Sequence, residues 1–195
     1  MSDTAVARGA LDSAAAVDGP GLRVAPRPAA AVVNLRGRLE DAGFAEAVAG
    51  VLGTAPPAEP NTVASEGQID LFWSGPDEWL AVVWQGDPGE LARRLAEALA
   101  GRHTAVTDVT AGNAVLDLAG PGARALLARG CPLDLHPRVF PVGRCAQSVL
   151  GHASVLLHLR DPEPAFTLLV RRSMAGYLWR WLEVVAGRLP GTGWE

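Results

Sequence analysis

Two short aromatic and β-branched runs, Ile69 to Trp73 and Trp79 to Trp84, flank Ser74-Gly75-Pro76-Asp77-Glu78, and a helical pattern lies on either side of the pair. Proline at the second position of a Gly-Pro-Asp-Glu turn presets φ, so the two runs read as a hairpin. The preceding helix starts from Asp41 as N-cap, puts Phe44, Val48, Val51 and Leu52 on one face, and ends at Gly53. A stiff connector, Ala55 to Thr62, follows it. The helix after the hairpin opens on Asp87-Pro88-Gly89-Glu90, with Asp as N-cap, Pro at N1 and Glu at N3. It buries Leu91, Leu95 and Leu99 and ends at Gly101. With strands at Ala31 to Leu35 and His103 to Val109, the order is β-α-β-β-α-β, the split arrangement of a ferredoxin-like unit.

The chain then begins again. A strand from Asn113 to Leu118 leads to a helix from Pro121 to Arg129, with Pro at N1 and Gly130 at C′. Strands follow near Ala146–Leu150, Ala153–Arg160 and Phe166–Arg171. Ser173 is placed to cap a closing helix with Met174, Tyr177, Leu178, Trp181, Leu182 and Val185 on one face, stopped by Gly187 and Pro190. Leu71-x-x-x-Gly75-Pro76 and Leu116-x-x-x-Gly120-Pro121 share a spacing that suggests an old duplication. The expected fold is α+β: two ferredoxin-like β/α halves packed into one compact body, with antiparallel or mixed sheets and helices on one face. Residues 1–28, rich in Ala, Gly and Pro and without periodicity, read as a flexible N-terminal arm. Residues 29–110 form the first half, and 111–195 the second, with its C-terminal amphipathic helix.

Of 195 residues, 49% are apolar, enough for a real core. Seventeen basic residues stand against 21 acidic ones, which argues against a nucleic-acid binder. Every basic residue is Arg, so Schiff-base and phosphate-loop lysines are excluded. Apolar runs fall far short of the roughly 20 residues that span a bilayer. The N-terminus carries Asp3, Asp12 and Asp18 and lacks the basic and apolar regions of a signal peptide. The expected location is the cytoplasm, with both thiols reduced and no membrane contact.

Gly130 to Cys145, GCPLDLHPRVFPVGRC, is the natural place to look for chemistry. Cys131, His136, Cys145 and His152 can be written as a zinc set, but the nearest two are five apart and interrupted by Pro132, whereas structural zinc sites use pairs two to four apart. Cys131 with His136 and Asp134 as a nucleophilic set would crowd one loop, and Cys131 follows a helix C-terminus, which raises a thiol pKa. The reading preferred is a proline-stiffened connector in which Pro132, Pro137 and Pro141 hold an extended path. Along it Leu133, Leu135, Val139 and Phe140 are available to bury. Asp108 is the one acid considered for a pocket, with an edge or solvent-facing position as the alternative. No Gly-x-Gly-x-x-Gly, Walker, Gly-x-Ser-x-Gly or His-Glu-x-x-His motif occurs. No catalytic, cofactor or metal residue is assigned.

Six tryptophans remain: Trp73, Trp79 and Trp84 around the hairpin, Trp179 and Trp181 on the last helix, and Trp194 near the end. Trp181 falls on the apolar stripe. Trp179, turned about 160° from it, leaves the stripe. Beside Arg171, Arg172 and Arg180 it has the composition of a protein interface, and Arg138 and Phe140 on the connector join that candidate surface.

Five segments carry a family likeness: LRG at Leu35–Gly37, PNTV at Pro60–Val63, GPDEWL at Gly75–Leu80, GCPLDLHPRVFPVGRCAQ at Gly130–Gln147, and LLVRRSMAGYLWRWLE at Leu168–Glu183. In this order they resemble the gamma subunits of heterotetrameric sarcosine oxidases, with Ser74 a small departure where an apolar residue is expected. The resemblance implies a complex that oxidises sarcosine to glycine, passes the one-carbon unit to tetrahydrofolate and releases hydrogen peroxide. It implies alpha, beta and delta subunits as partners, with FAD, FMN, NAD and zinc on those subunits and none on this chain. It also implies a fold like the folate-binding fold of aminomethyltransferases, in a subunit without a catalytic role. The alternative is a free-standing folate-binding or aminomethyltransferase-like protein; a further rival is a zinc or cysteine enzyme built on Cys131 and His136.

Overall fold

Alternation along the strands sorts the apolar residues onto two faces, and both faces are buried. The computed structural model describes residues 9–19 and 21–189, so Pro190, Trp194 and the first eight residues of the expected arm lie outside it. In chain order the elements are β1 (Val17–Gly19), β2 (Leu22–Pro26), β3 (Ala31–Arg36), α1 (Ala42–Leu52), β4 (Val63–Glu66), β5 (Ile69–Gly75), β6 (Glu78–Val83) and α2 (Pro88–Ala98). They continue with β7 (Ala105–Asp108), β8 (Asn113–Ala119), α3 (Ala123–Leu127), β9 (Cys145–Leu150), β10 (Ala153–Asp161), β11 (Ala165–Arg171) and α4 (Arg172–Ala186). The helix caps are local chemistry: Asp41 accepts from Gly43 N at 3.1 Å and Asp87 from Gly89 N at 2.8 Å.

Two antiparallel sheets form, in the orders β4-β5-β6-β3-β7 and β1-β2-β8-β11-β10-β9. In the first, β5-β6-β3-β7 is the 2-3-1-4 order of a ferredoxin-like unit, and β4 extends its edge. In the second, β10-β11-β8-β2 repeats that order, but β2, from the beginning of the chain, takes the fourth place. The hairpins match too. Pairing slips between Trp73 and Gly75 in β5 and between Leu159 and Asp161 in β10, one bulge before each turn. The duplication therefore relates β5 to β10 and β3 to β8. The Leu71 and Leu116 spacing joins strands that do not correspond.

The inner faces of the sheets pack on each other through Val32, Phe72 and Val82 on one side and Val115, Leu156 and Leu169 on the other, with Cys145 among them. On the outer face of the first sheet, Leu35, Leu71 and Trp79 meet Phe44 and Val48 of α1 and Leu95 of α2. On the outer face of the second, Leu116, Leu157 and Phe166 meet Leu126 of α3 and Leu178 of α4. Strands buried on both faces explain the near-continuous apolar runs of β10 and β11.

Four expectations are corrected. Val17–Gly19 and Leu22–Pro26 belong to the second sheet rather than to an arm, because Leu22 (5% exposed) and Val24 (1% exposed) alternate into its core while β2 pairs antiparallel with β8. β4 was hidden by its polar sequence, Val63-Ala64-Ser65-Glu66, which suits a half-exposed edge strand. α4 is preceded by Arg171 and has no side-chain cap, so Ser173 does not cap it. Its buried stripe is Ala175, Leu178, Trp179, Leu182 and Ala186.

Candidate functional site

The stretch between Gly130 and Cys145 forms a covering strap that is not extended throughout as expected: Phe140 N donates to His136 O and Arg144 N to Pro141 O, closing two turns. Cys131, Leu135 and Phe140 are buried in the core of the second half, and Phe140 lies 6.3 Å from Phe166. Val139 stays 56% exposed. The strap ends where the two sheets cross: Val63 N donates to Gly143 O and Cys145 N to Asn61 O. The Cys145 thiol donates to Thr62 O at 3.4 Å, and burial pushes its pKa up to about 12. Cys131 Sγ lies 3.7 Å from Ser148 Oγ. His136 is exposed, with Nδ1 accepting from Arg138 N, and Asp134 accepts from His136 N. The proposed base and its orienting acid thus hold loop backbone. Among the described residues no group of three or more His, Cys, Asp or Glu could hold a metal ion. Asp108 is exposed, accepts from Thr110 N at 2.8 Å and stands in the wall of a cleft of about 830 Å³ with Val32, Thr110 and Asn113, so both the pocket and the solvent-facing reading hold in part.

The expected interface set divides. Arg138, Arg171, Arg172 and Arg180 are exposed. Trp179 is 6% exposed, packs in the core and donates from Nε1 to Glu183 at 2.7 Å; Phe140 is also 6% exposed. Neither aromatic is a surface residue. The helix turns its flank inward, so Trp179 takes the stripe and the half-buried Trp181 lies over Gly130 and Gly151.

Two clefts open at opposite ends of the seam between the sheets, at positions the duplication relates. The wider, about 830 Å³, is lined by Asn34, Arg36 and Glu78 on one side and Gln147, Ser154 and Arg171 on the other. Glu78 accepts from Asn34 Nδ2 at 2.6 Å and from Arg36 Nη2 at 2.8 Å. The narrower, about 380 Å³, is lined by Arg27, Gln68, Asp70, Trp84, His158 and Arg160, with Gly67 and Val142 among its other walls. The bulge residues of the two matched hairpins face different clefts, Ser74 the wide one and Arg160 the narrow one.

A polar network anchored on the buried Asp70, His158 and Thr167 backs the narrow cleft, with Arg27, Trp84, Asp117 and Arg160 half-buried around them. Asp70 accepts from Ser65 Oγ at 2.6 Å and from Trp84 Nε1 at 2.8 Å. Asp117 accepts from Arg160 Nη2 at 3.1 Å and, at longer range, from Arg27 Nη1 and the Thr167 hydroxyl. The Arg27 guanidinium carbon lies 3.5 Å from the Trp84 ring centroid. His158 is 4% exposed, meets Phe72 edge-on, and burial lowers its pKa to about 4 against the pull of Asp70. His158 Nδ1 and Arg160 Nε are buried without hydrogen-bond partners. Sequence reasoning missed this group because its members come from five strands of both sheets and the segments after β2 and β6. The one local signal is His158 itself, a polar residue inside the leucine run of β10.

The family model for the sarcosine oxidase gamma subunit spans residues 36–187. The chain belongs to that family. Among curated members, the sarcosine oxidase subunit gamma of Corynebacterium sp. (strain P-1) is 39% identical over 152 residues, 77% of this chain and 72% of the relative. The subunit gamma of Arthrobacter sp. is 38% identical over 151 residues, with the same shares covered. Among solved structures, a chain of the heterotetrameric sarcosine oxidase from Corynebacterium sp. U-96, in complex with pyrrole 2-carboxylate, matches with a TM-score of 0.81 at 28% identity. That match covers 92% of this chain and 94% of the other. The glycine cleavage system aminomethyltransferase T from Bartonella henselae matches with a TM-score of 0.65 at 13% identity, over 84% of this chain and 46% of its own. The gamma subunit fold and the aminomethyltransferase fold are thus alike, as the sequence resemblance implied.

Proposed function

We propose that this chain is a non-catalytic gamma subunit that docks on the alpha, beta and delta subunits of a cytoplasmic heterotetrameric sarcosine oxidase and stabilises the assembly. The observation that carries the reading is the match, nearly end to end, with a chain of the heterotetrameric enzyme. On this reading the complex converts sarcosine, tetrahydrofolate and oxygen to glycine, 5,10-methylenetetrahydrofolate and hydrogen peroxide. FAD, FMN, NAD and zinc reside on the other subunits. The chemistry-bearing residues of this chain support the assignment: the Cys145 thiol is held in its neutral form, His136 and Asp108 bond loop backbone, and the side chains of Arg138, Arg171 and Arg180 are exposed. Arg is suited to docking, since its planar fork pairs well with partner carboxylates.

Expressed alone, the chain shows no flavin absorbance and no sarcosine-dependent peroxide, whereas co-expression with its partner subunits recovers it in the active complex. Turnover by the isolated chain overturns the proposal. The aminomethyltransferase-like fold keeps one rival in play, a free-standing folate binder. Titrating the isolated chain with a reduced folate separates the two, because specific saturable binding favours the rival.

A further inference from the structure

The narrow cleft holds donors without acceptors. Arg160 Nε is buried and unpartnered, and so is His158 Nδ1. The Arg27 guanidinium lies over the Trp84 ring, and its side-chain hydrogen bonds, through Nη1, are long, 3.5 Å to Asp117 and 3.3 Å to Thr167. The two nearby carboxylates are already taken, Asp70 by Ser65 and Trp84, and Asp117 by Arg160, Arg27 and Thr167. Buried polar groups left without partners are costly, and native proteins rarely leave them so. A cavity of about 380 Å³ beside them has room for more than a water molecule.

We propose that this cavity binds a small monocarboxylate, taken up together with one proton on His158. The charge balance sets the ligand class. Asp70 and Asp117 offset Arg27 and Arg160, so an added anion brings one uncompensated negative charge against the buried Asp70 and His158 in a half-buried site. His158 is the group that can compensate it, and a single proton matches a monoanion rather than a dianion. The charged groups around the ring are Asp70 on β5, Arg160 on its own strand and Arg27 after β2; the arginines oppose an imidazolium and Asp70 favours it. A carboxylate accepting from Arg160 and Arg27 cancels that opposition. Anion binding and protonation then promote each other, by reciprocal linkage. Gln68, Gly67 and Val142 line the same cavity and leave space for a short side chain on the acid.

The test uses the full chain labelled with nitrogen-15 in its histidine rings, titrated at constant ionic strength with sodium acetate and, separately, with the isosteric neutral acetamide. Acetate shifts the His158 ring signals saturably and raises the pKa of that ring. Its affinity, counted per acetate anion, falls about tenfold per pH unit between the free and acetate-bound pKa of His158. Acetamide does neither, and the exposed His103, His136 and His152 serve as internal controls. An absent or unsaturable acetate response, an equal response to acetamide, or an affinity independent of pH in that interval overturns the proposal. Arg160→Gln is expected to weaken acetate binding at least tenfold, and undiminished binding also overturns it. Should that variant fail to fold, the comparison of acetate with acetamide on the unaltered chain still decides.

Discussion

The indole of Trp181 fills the space that a Cβ on Gly130 would need: its Cζ2 lies 2.5 Å from that point, and Gly151 N lies 3.0 Å away. Gly130 O also accepts from Gly151 N at 3.0 Å. The last helix is thereby seated on both the start of the strap and the β9–β10 turn. Gly130→Ala must displace backbone or a large ring, and overpacking of this kind costs about 1–3 kcal/mol. A urea titration shows a lowered midpoint with an unchanged slope; an unchanged midpoint contradicts the contact.

Trp179→Ala is expected to act on folding. The side chain is 6% exposed and hydrogen-bonded to Glu183, so truncation leaves a large void costing about 3–5 kcal/mol. Thermal unfolding shifts down, and association with partner subunits drops only in proportion to the folded fraction. A variant of normal stability that fails to associate would return Trp179 to the docking surface.

Stability falls on acidification. His158 has its pKa lowered from 6.5 to about 4, so between those values the unfolded chain binds the extra proton and the folded chain does not. The contribution is fully present above pH 6.5 and lost progressively as pH falls toward 4, about 3 kcal/mol in all. Denaturation midpoints measured in carboxylate-free buffers across this interval record the slope, and His158→Gln flattens it.

Deleting residues 1–26 strips β2 from β8 and removes Leu22 and Val24 from the core. Burial of each such side chain is worth about 1.5–3 kcal/mol, and the exposed β8 edge invites association. Size-exclusion chromatography shows aggregation or a loosened chain.

Cys145 is expected to resist thiol reagents at pH 8, because burial holds its thiol neutral. Modification appears only on unfolding in urea; rapid labelling of the native chain refutes it.

Sequence reasoning reached what local chemistry decides. Asp41 and Asp87 cap their helices as expected, and Pro76 turns the β5–β6 hairpin, because each needs only its neighbours. It failed where distant partners decide. The strand at Leu22–Pro26 shows just two apolar residues facing inward and finds its mate at Leu116–Ala119. On α4, Trp179 and Trp181 are both large and apolar, and the rotation of the helix on its sheet chose between them. The polar network was least legible of all: Arg27 meets Asp117, 90 positions further along the chain.

The pairing of β2 with β8 has a topological meaning. The first ferredoxin-like unit sits wholly between two adjacent strands of the second, so it is an insertion within that unit, and the chain is not two beads on a string. The inserted unit is continuous in sequence and can close while the chain is being made. Its host must hold its oldest segment in waiting until β8 emerges, a contact of high sequence separation that slows closure. The two units should therefore melt as one, since separating the host strands also strains the loop that contains its guest.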